Sequence, residues 1–367
     1  NLTSMMDHPI IAKEEDQDEA CYRQFYEEAI SLCRQKRFHE ALEKCRYTSL
    51  DDEEEYSIDV IQPEKIEFKQ NSYEDGENSI ISFPEFLLLV LDVCTGGEQP
   101  ASHYQPDKLI EKFDALKTYF TAGEFYEKML YYRLLLDYYT IRRDIKDGQG
   151  NYSLILKGPK DDSDKLKQYQ SMLYVSTEAF YNWLKPYLRK LEQDELQSCA
   201  EMLAFLKKGD NERHSILPAR KDLSYKASGN IRYWFWRLDY YLWEQRSTFF
   251  NEEEQKIVEH YVFRRNRSIE HLHPQDESHN EEWEEEAVHS FGNLAMISQS
   301  FNSQQSNDHI QIKFARIHEQ ISNKSLQSIK MFLMCKLADF NYQNWTMKLA
   351  KEHENEMIEF LERSFYI

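Results

Sequence analysis

Ser268-Ile269-Glu270-His271-Leu272-His273-Pro274-Gln275 puts a carboxylate directly beside an imidazole, in a run that reads as a short strand ended by Pro274. Just upstream, Val262-Phe263 and Ser268-Ile269 flank a basic stretch containing Arg264, Arg265 and Arg267. Downstream comes an acidic loop from Asp276 to Glu286. A second short apolar run follows, Phe291 to Ile297, with Gly292 near its start. Asn302 opens a polar stretch leading to Ile312, Phe314 and Ile317, whose spacing predicts a helix. Strand, long loop, strand, helix is the order of a small ββα unit.

Outward from this segment the chain reads as helix. Tyr233, Trp234, Trp236, Leu238, Tyr241 and Trp243 predict an aromatic helix over 229–248, and aromatic residues at helical spacing read as core. Lys207 to Ala219 reads as a linker, with a soft domain boundary. Residues 163–207 predict helix pairs, and residues 106–145 predict two helices, with Leu109, Phe113, Leu116 and Phe120 on one stripe. Phe83-Pro84-Glu85-Phe86 opens an apolar helix that should stop near Gly96-Gly97. Residues 14–55 are acidic and amphipathic. Residues 56–80 read as a loop or short hairpin, and Asp147-Gly148-Gln149-Gly150 as a turn. The expected fold is mainly α, in two parts. A helical domain over 1–215 precedes 216–367, a small ββα-metal (HNH-like) motif embedded in helices.

Composition agrees and removes other classes. Only 10 Gly and 9 Pro in 367 residues disfavour Gly-rich phosphate loops and many-turned β architectures. The six cysteines include no Cys-x-x-Cys pair, so a zinc ribbon is not expected and reduced thiols in a cytoplasmic protein are. The longest apolar run, around Phe86 to Leu91, is too short to cross a bilayer. A formal net charge of −20 argues against broad, nonspecific nucleic-acid binding and requires any DNA contact to use local basic residues.

Phosphodiester hydrolysis needs a base for water and a hard cation at the phosphate. Histidine, with an unperturbed pKa of roughly 6.5, suits the first task. A carboxylate and an amide oxygen suit Mg²⁺ or Mn²⁺, and a second amide can hold the imidazole in one tautomer. Glu270-His271, Gly292-Asn293-Leu294, Asn302 and Lys313 supply these types in order. The segment resembles the HNH nuclease motif, whose first element reads Asp/Glu-His-x-x-Pro. It resembles more closely the C-terminal nuclease domain of GmrSD-type type IV restriction enzymes. Three blocks carry that likeness: Ser268 to Gln275, Ser290 to Ala295, and Asn302 to Lys313.

The resemblance implies that His271 is the general base, that Glu270 and Asn302 hold one divalent ion, and that Asn293 orients His271. It also implies that Lys313 meets phosphate. Arg265 and Arg267 are candidates for holding the DNA backbone. The expected activity is an endonuclease of an antiphage restriction system acting on double-stranded, modified foreign DNA. The family's N-terminal nucleotide-binding domain carries an Asp-Gly-Gln-Gln-Arg motif that Asp147 to Gly150 does not reproduce, so the chain is expected to be the later part of a longer protein. Without the resemblance, Asn293 also suits a turn cap and Asn302 a helix N-cap. Lys313 and the arginines also suit solvated charge. An RNA-cleaving nuclease, or a helical interaction module with an inactive nuclease domain, are the alternative functions.

Overall fold

The computed structural model describes residues 19–46, 76–145, 152–159, 163–176, 178–264, 268–275, 283–297 and 310–367. Arg265, Arg267 and Asn302 lie outside the described residues, as do the turn at 147–150 and most of the acidic loop, 276–282. The chain divides into two compact units, Asn1–Gln170 with Ala179–Phe205, and Ser171–Glu178 with Leu206–Ile367. Both are built mainly from helices, as the apolar spacing predicts.

In order, the first part of the chain forms α1 (Glu19–Arg34), α2 (Phe38–Arg46), β1 (Gly76–Ser79), α3 (Phe83–Cys94), α4 (Leu109–Leu116) and α5 (Ala122–Tyr139). β2 (Arg142–Ile145), β3 (Tyr152–Ile155), α6 (Ser163–Val175) and α7 (Phe180–Glu192) follow. α3 starts and stops where its sequence says. Glu85 accepts from the Ser82 N–H at 2.7 Å and Ser82 Oγ accepts from the Glu85 N–H at 3.4 Å, a reciprocal cap that satisfies two end donors. Past Cys94 the chain turns through Gly96 and Gly97 at φ of 103° and 80°, a region that side chains disfavour. α3 packs on α5, whose start carries the same kind of cap, Thr121 with Glu124.

The antiparallel sheet β1-β2-β3 was not expected from the sequence. Its central strand is Arg-Arg-Asp-Ile, a composition that reads as solvated. Arg142 is nevertheless buried, because Asp137 near the end of α5 is buried with it and takes both its guanidinium and that of Arg133, the latter at 2.8 Å. Buried charge is tolerable when paired in this way.

The second unit contains the end of α8 (Cys199–Arg213), then α9 (Arg232–Glu244), α10 (Arg246–Phe249), α11 (Glu252–Glu259), β4 (Ser268–His271), α12 (Glu285–Val288), β5 (Leu294–Ile297), α13 (Ile310–Ser322), α14 (Ile329–Leu337) and α15 (Met347–Arg363). The expected linker at 207–219 is corrected in its first half, since α8 runs on to Arg213. The polar run Lys-Lys-Gly-Asp looks solvated, but Asp210 is buried. It accepts from Tyr233 at 2.7 Å and from Arg237 at 3.1 Å. α9 is buried on every side from Tyr233 to Trp243, so its aromatic residues are core as expected, and Arg237 and Asp239 are buried with them.

β4 and β5 pair antiparallel, with Glu270 opposite Ala295 and His271 opposite Leu294. β5 is buried throughout and packs against α9 and α14. The turn just before β5, Phe291–Asn293, lies against α15. Only glycine fits at its centre, since a Cβ on Gly292 would sit 2.1 Å from the Ala350 carbonyl oxygen. Strand, strand and helix thus follow in the anticipated order, with α13 as the helix.

Candidate active site

β4 brings Glu270 and His271 to the same place, 6 % and 5 % exposed respectively. Neighbouring strand residues point to opposite faces, so burying both requires cover on each side. α13 supplies part of it. Lys313 Nζ donates to the His271 carbonyl oxygen at 2.5 Å and forms an ion pair with the Glu270 carboxylate. The Lys313 side chain is only 4 % exposed and fastens the helix to the strand.

The other cover is aromatic and polar. His271 Nε2 lies 3.1 Å from His289 Nδ1, at the end of α12. The Gln275 amide nitrogen lies 3.0 Å from His271 Nδ1 and 3.4 Å from Nε2. The Tyr225 ring stacks on His289 at 5.7 Å and 15° and meets His271 edge-on at 4.5 Å and 62°. Its N–H donates to the His289 carbonyl oxygen at 3.0 Å. Tyr225 is 43 % exposed, so the imidazole pair sits one side chain below the surface.

Burial, and then the charges of His289 and Lys313, push His271 down to about 3. His289 is also lowered, by burial and then by Lys226, with Glu285 opposing. His271 is therefore neutral across the physiological range, the form that accepts a proton. The same burial makes it a weak base while the site stays closed.

Asn293 does something other than orient the imidazole. Its Oδ1 accepts from the His273 N–H at 2.8 Å and from Trp345 Nε1 at 3.2 Å. Its Nδ2 donates to the carbonyls of His273 at 3.0 Å and Val288 at 2.9 Å. Both oxygen partners are donors and both nitrogen partners are acceptors, which fixes the amide orientation. The Asn293 carbonyl also accepts from the Leu272 N–H at 2.9 Å. Asn293 thus clamps the backbone that leaves β4 just past His271. The next layer is a wholly buried lysine. Lys330 Nζ donates to the carbonyls of Phe291 at 2.9 Å and Leu294 at 2.7 Å, holding the turn that carries Asn293. Burial pushes Lys330 down to about 7, against the opposing charges of Asp239 and Glu354.

The structure therefore gathers Glu270, His271 and Lys313. Asn293 adjoins them through the backbone. Lys313 takes a different position from the phosphate contact implied by the resemblance, because its ammonium is turned inward to the strand. Arg265, Arg267 and Asn302 are outside the described residues, and among those described no group of three His, Cys, Asp or Glu side chains forms a ready-made metal site. The sequence reading missed His289, Tyr225 and Gln275. Gln275 stands inside the quoted segment and was the one within reach of local reasoning. His273, left without chemistry, stacks on Trp283 at 4.1 Å and 4°.

Residues 212–360 match the family of GmrSD restriction endonuclease C-terminal domains. The match begins in α8, ends in α15 and contains every residue of this site. No curated protein and no solved structure matches the chain. No helix among the described residues is long and apolar enough to cross a membrane.

Proposed function

We propose that the region matching the GmrSD domain is a divalent-metal-dependent, HNH-type endonuclease with His271 as its general base. The observation that carries this reading is the meeting of a neutral, buried imidazole with a buried carboxylate at the end of a two-stranded ladder, with a helix pinned to the same strand. His271 takes the proton from the attacking water. Asn293 fixes the backbone beyond it, and Lys313 holds strand and helix together while balancing the Glu270 charge.

The donor chemistry fits a hard cation. The Glu270 carboxylate is buried and already compensated by one cationic group, the Lys313 ammonium, so a second positive centre at its oxygens is electrostatically acceptable. Glu270 would hold Mg²⁺ or Mn²⁺ together with Asn302, and the ion would neutralise charge on the scissile phosphate and the leaving oxygen. Arg265 and Arg267 would grip the DNA backbone beside the strand, as a local basic patch on an acidic chain.

The substrate in this reading is double-stranded DNA, modified and foreign, cut as part of an antiphage restriction system in the cytoplasm. Its support is the family match, and a nucleotide-using N-terminal domain would act as partner. Parallel digestion with Mg²⁺ of plain, glucosylated and phosphorothioated DNA and of RNA tests it. Cleavage confined to a modified duplex supports the reading. Cleavage of RNA alone, or of nothing in any divalent metal, overturns it.

A further inference from the structure

The contact between His271 and His289 has a consequence for which ring nitrogen does the work. Two neutral imidazoles facing through Nε2 and Nδ1 at 3.1 Å share a single proton, so one donates and the other accepts. The remaining neighbours decide the direction. The Gln275 amide nitrogen is a donor, and it comes closest to His271 at Nδ1, 3.0 Å away. A donor there requires Nδ1 to present a lone pair, which leaves the ring proton on Nε2. His289 must then accept through Nδ1 and carry its own proton on Nε2.

We infer that His289 is a positioning residue that holds His271 as the Nε2–H tautomer and leaves Nδ1 as the nitrogen that receives the proton from water. The inference deepens the nuclease reading and rests on it for the catalytic consequence, though not for the tautomer. Tyr225 keeps the pair in register. It stacks on the His289 ring, packs its edge against His271 and donates its N–H to the His289 carbonyl. Asn293, to which the sequence assigned the orienting role, spends its four side-chain hydrogen bonds elsewhere. Gln275 occupies the direction from which water would approach Nδ1, so its amide yields that place when substrate enters.

The test reads the tautomer directly. The full chain is labelled with ¹⁵N-histidine and long-range ¹H–¹⁵N correlations are recorded near pH 7.5 without metal, with His271→Gln assigning the resonance. The wild-type ring is expected as Nε2–H. In His289→Phe, which keeps an aromatic ring under Tyr225 but removes the acceptor, the His271 pattern should move to a mixture of both tautomers. In His289→Gln, whose amide oxygen accepts the same hydrogen bond, it should return to Nε2–H.

In the cleavage assay His289→Phe should lower kcat by about 10- to 100-fold with little change in KM, and His289→Gln should recover most of it. An Nδ1–H tautomer in the wild-type protein overturns the inference, with no variant needed. An unchanged tautomer and kcat in His289→Phe overturns it as well. If the tautomers behave as stated and no nucleic acid is cut, the nuclease reading has failed while the assignment of the proton stands.

Discussion

Replacing Asn293 by aspartate separates two ideas about this residue. Asn293 joins four buried groups: the N–H and carbonyl of His273, the Val288 carbonyl and the Trp345 indole N–H. Asn293→Ala orphans all four, and at about 1 kcal/mol per buried group the loss is about 4 kcal/mol. With a slope of about 2 kcal/mol per molar urea, the midpoint falls by about 2 M. Asn293→Asp keeps both accepted hydrogen bonds but turns its second oxygen towards two carbonyls. The buried carboxyl must either stay charged against them or hold a proton that satisfies only one. Its pKa in the folded protein is therefore raised. The unfolded chain loses this proton first, so the variant's deficit grows as pH climbs above about 4. At pH 7.5 the aspartate should cost as much as alanine, and at pH 5.5 less. Had Asn293 acted by accepting an imidazole N–H, aspartate would serve as well. Urea unfolding followed by tryptophan fluorescence suits the question, since Trp234, Trp236, Trp243, Trp283 and Trp345 all lie in the second unit. An aspartate variant within about 0.5 kcal/mol of wild type at pH 7.5 would refute the clamp.

Gly292→Ala forces a methyl group to within 2.1 Å of the Ala350 carbonyl, so the turn must leave α15. A loss of about 3 kcal/mol is expected by the same unfolding assay, and a neutral result would mean that the two elements are not in contact. Burial lowers Lys330 to about 7, so between that pH and about 10 the unfolded chain binds more protons than the folded one. Wild type should therefore gain stability relative to Lys330→Met as pH rises through that window. A flat difference from pH 7 to 10 would show that the ammonium is not desolvated.

How far the sequence could be read depends on where polar side chains end up. α3 was legible because Ser82, Pro84 and Gly96 mark its ends locally, and α9 because its aromatic residues are nearly continuous. The ββα order was legible from two short apolar runs and one helical stripe. The β1-β2-β3 sheet and the continuation of α8 were not, and for one reason. Arg142 and Asp210 look solvated in sequence, yet each is buried against a partner distant along the chain. The site divides in the same way. Glu270 beside His271 is a local signal. His289 gives none, because a histidine before Ser290-Phe291-Gly292 acquires meaning only when the fold places it 3.1 Å from His271. Asn293 was singled out correctly as a residue of this neighbourhood, but its partners are backbone groups that no spacing rule reveals.

The central claim is that one imidazole, His271, takes the proton from water in a metal-dependent cleavage of DNA. It is tested most directly by comparing wild type with His271→Ala in Mg²⁺ or Mn²⁺, on whichever duplex the wild-type protein cuts. Wild type should cleave with metal and stop in EDTA, and His271→Ala should unfold at the wild-type urea midpoint yet leave the duplex intact. A folded His271→Ala variant that cuts at the wild-type rate would contradict the account.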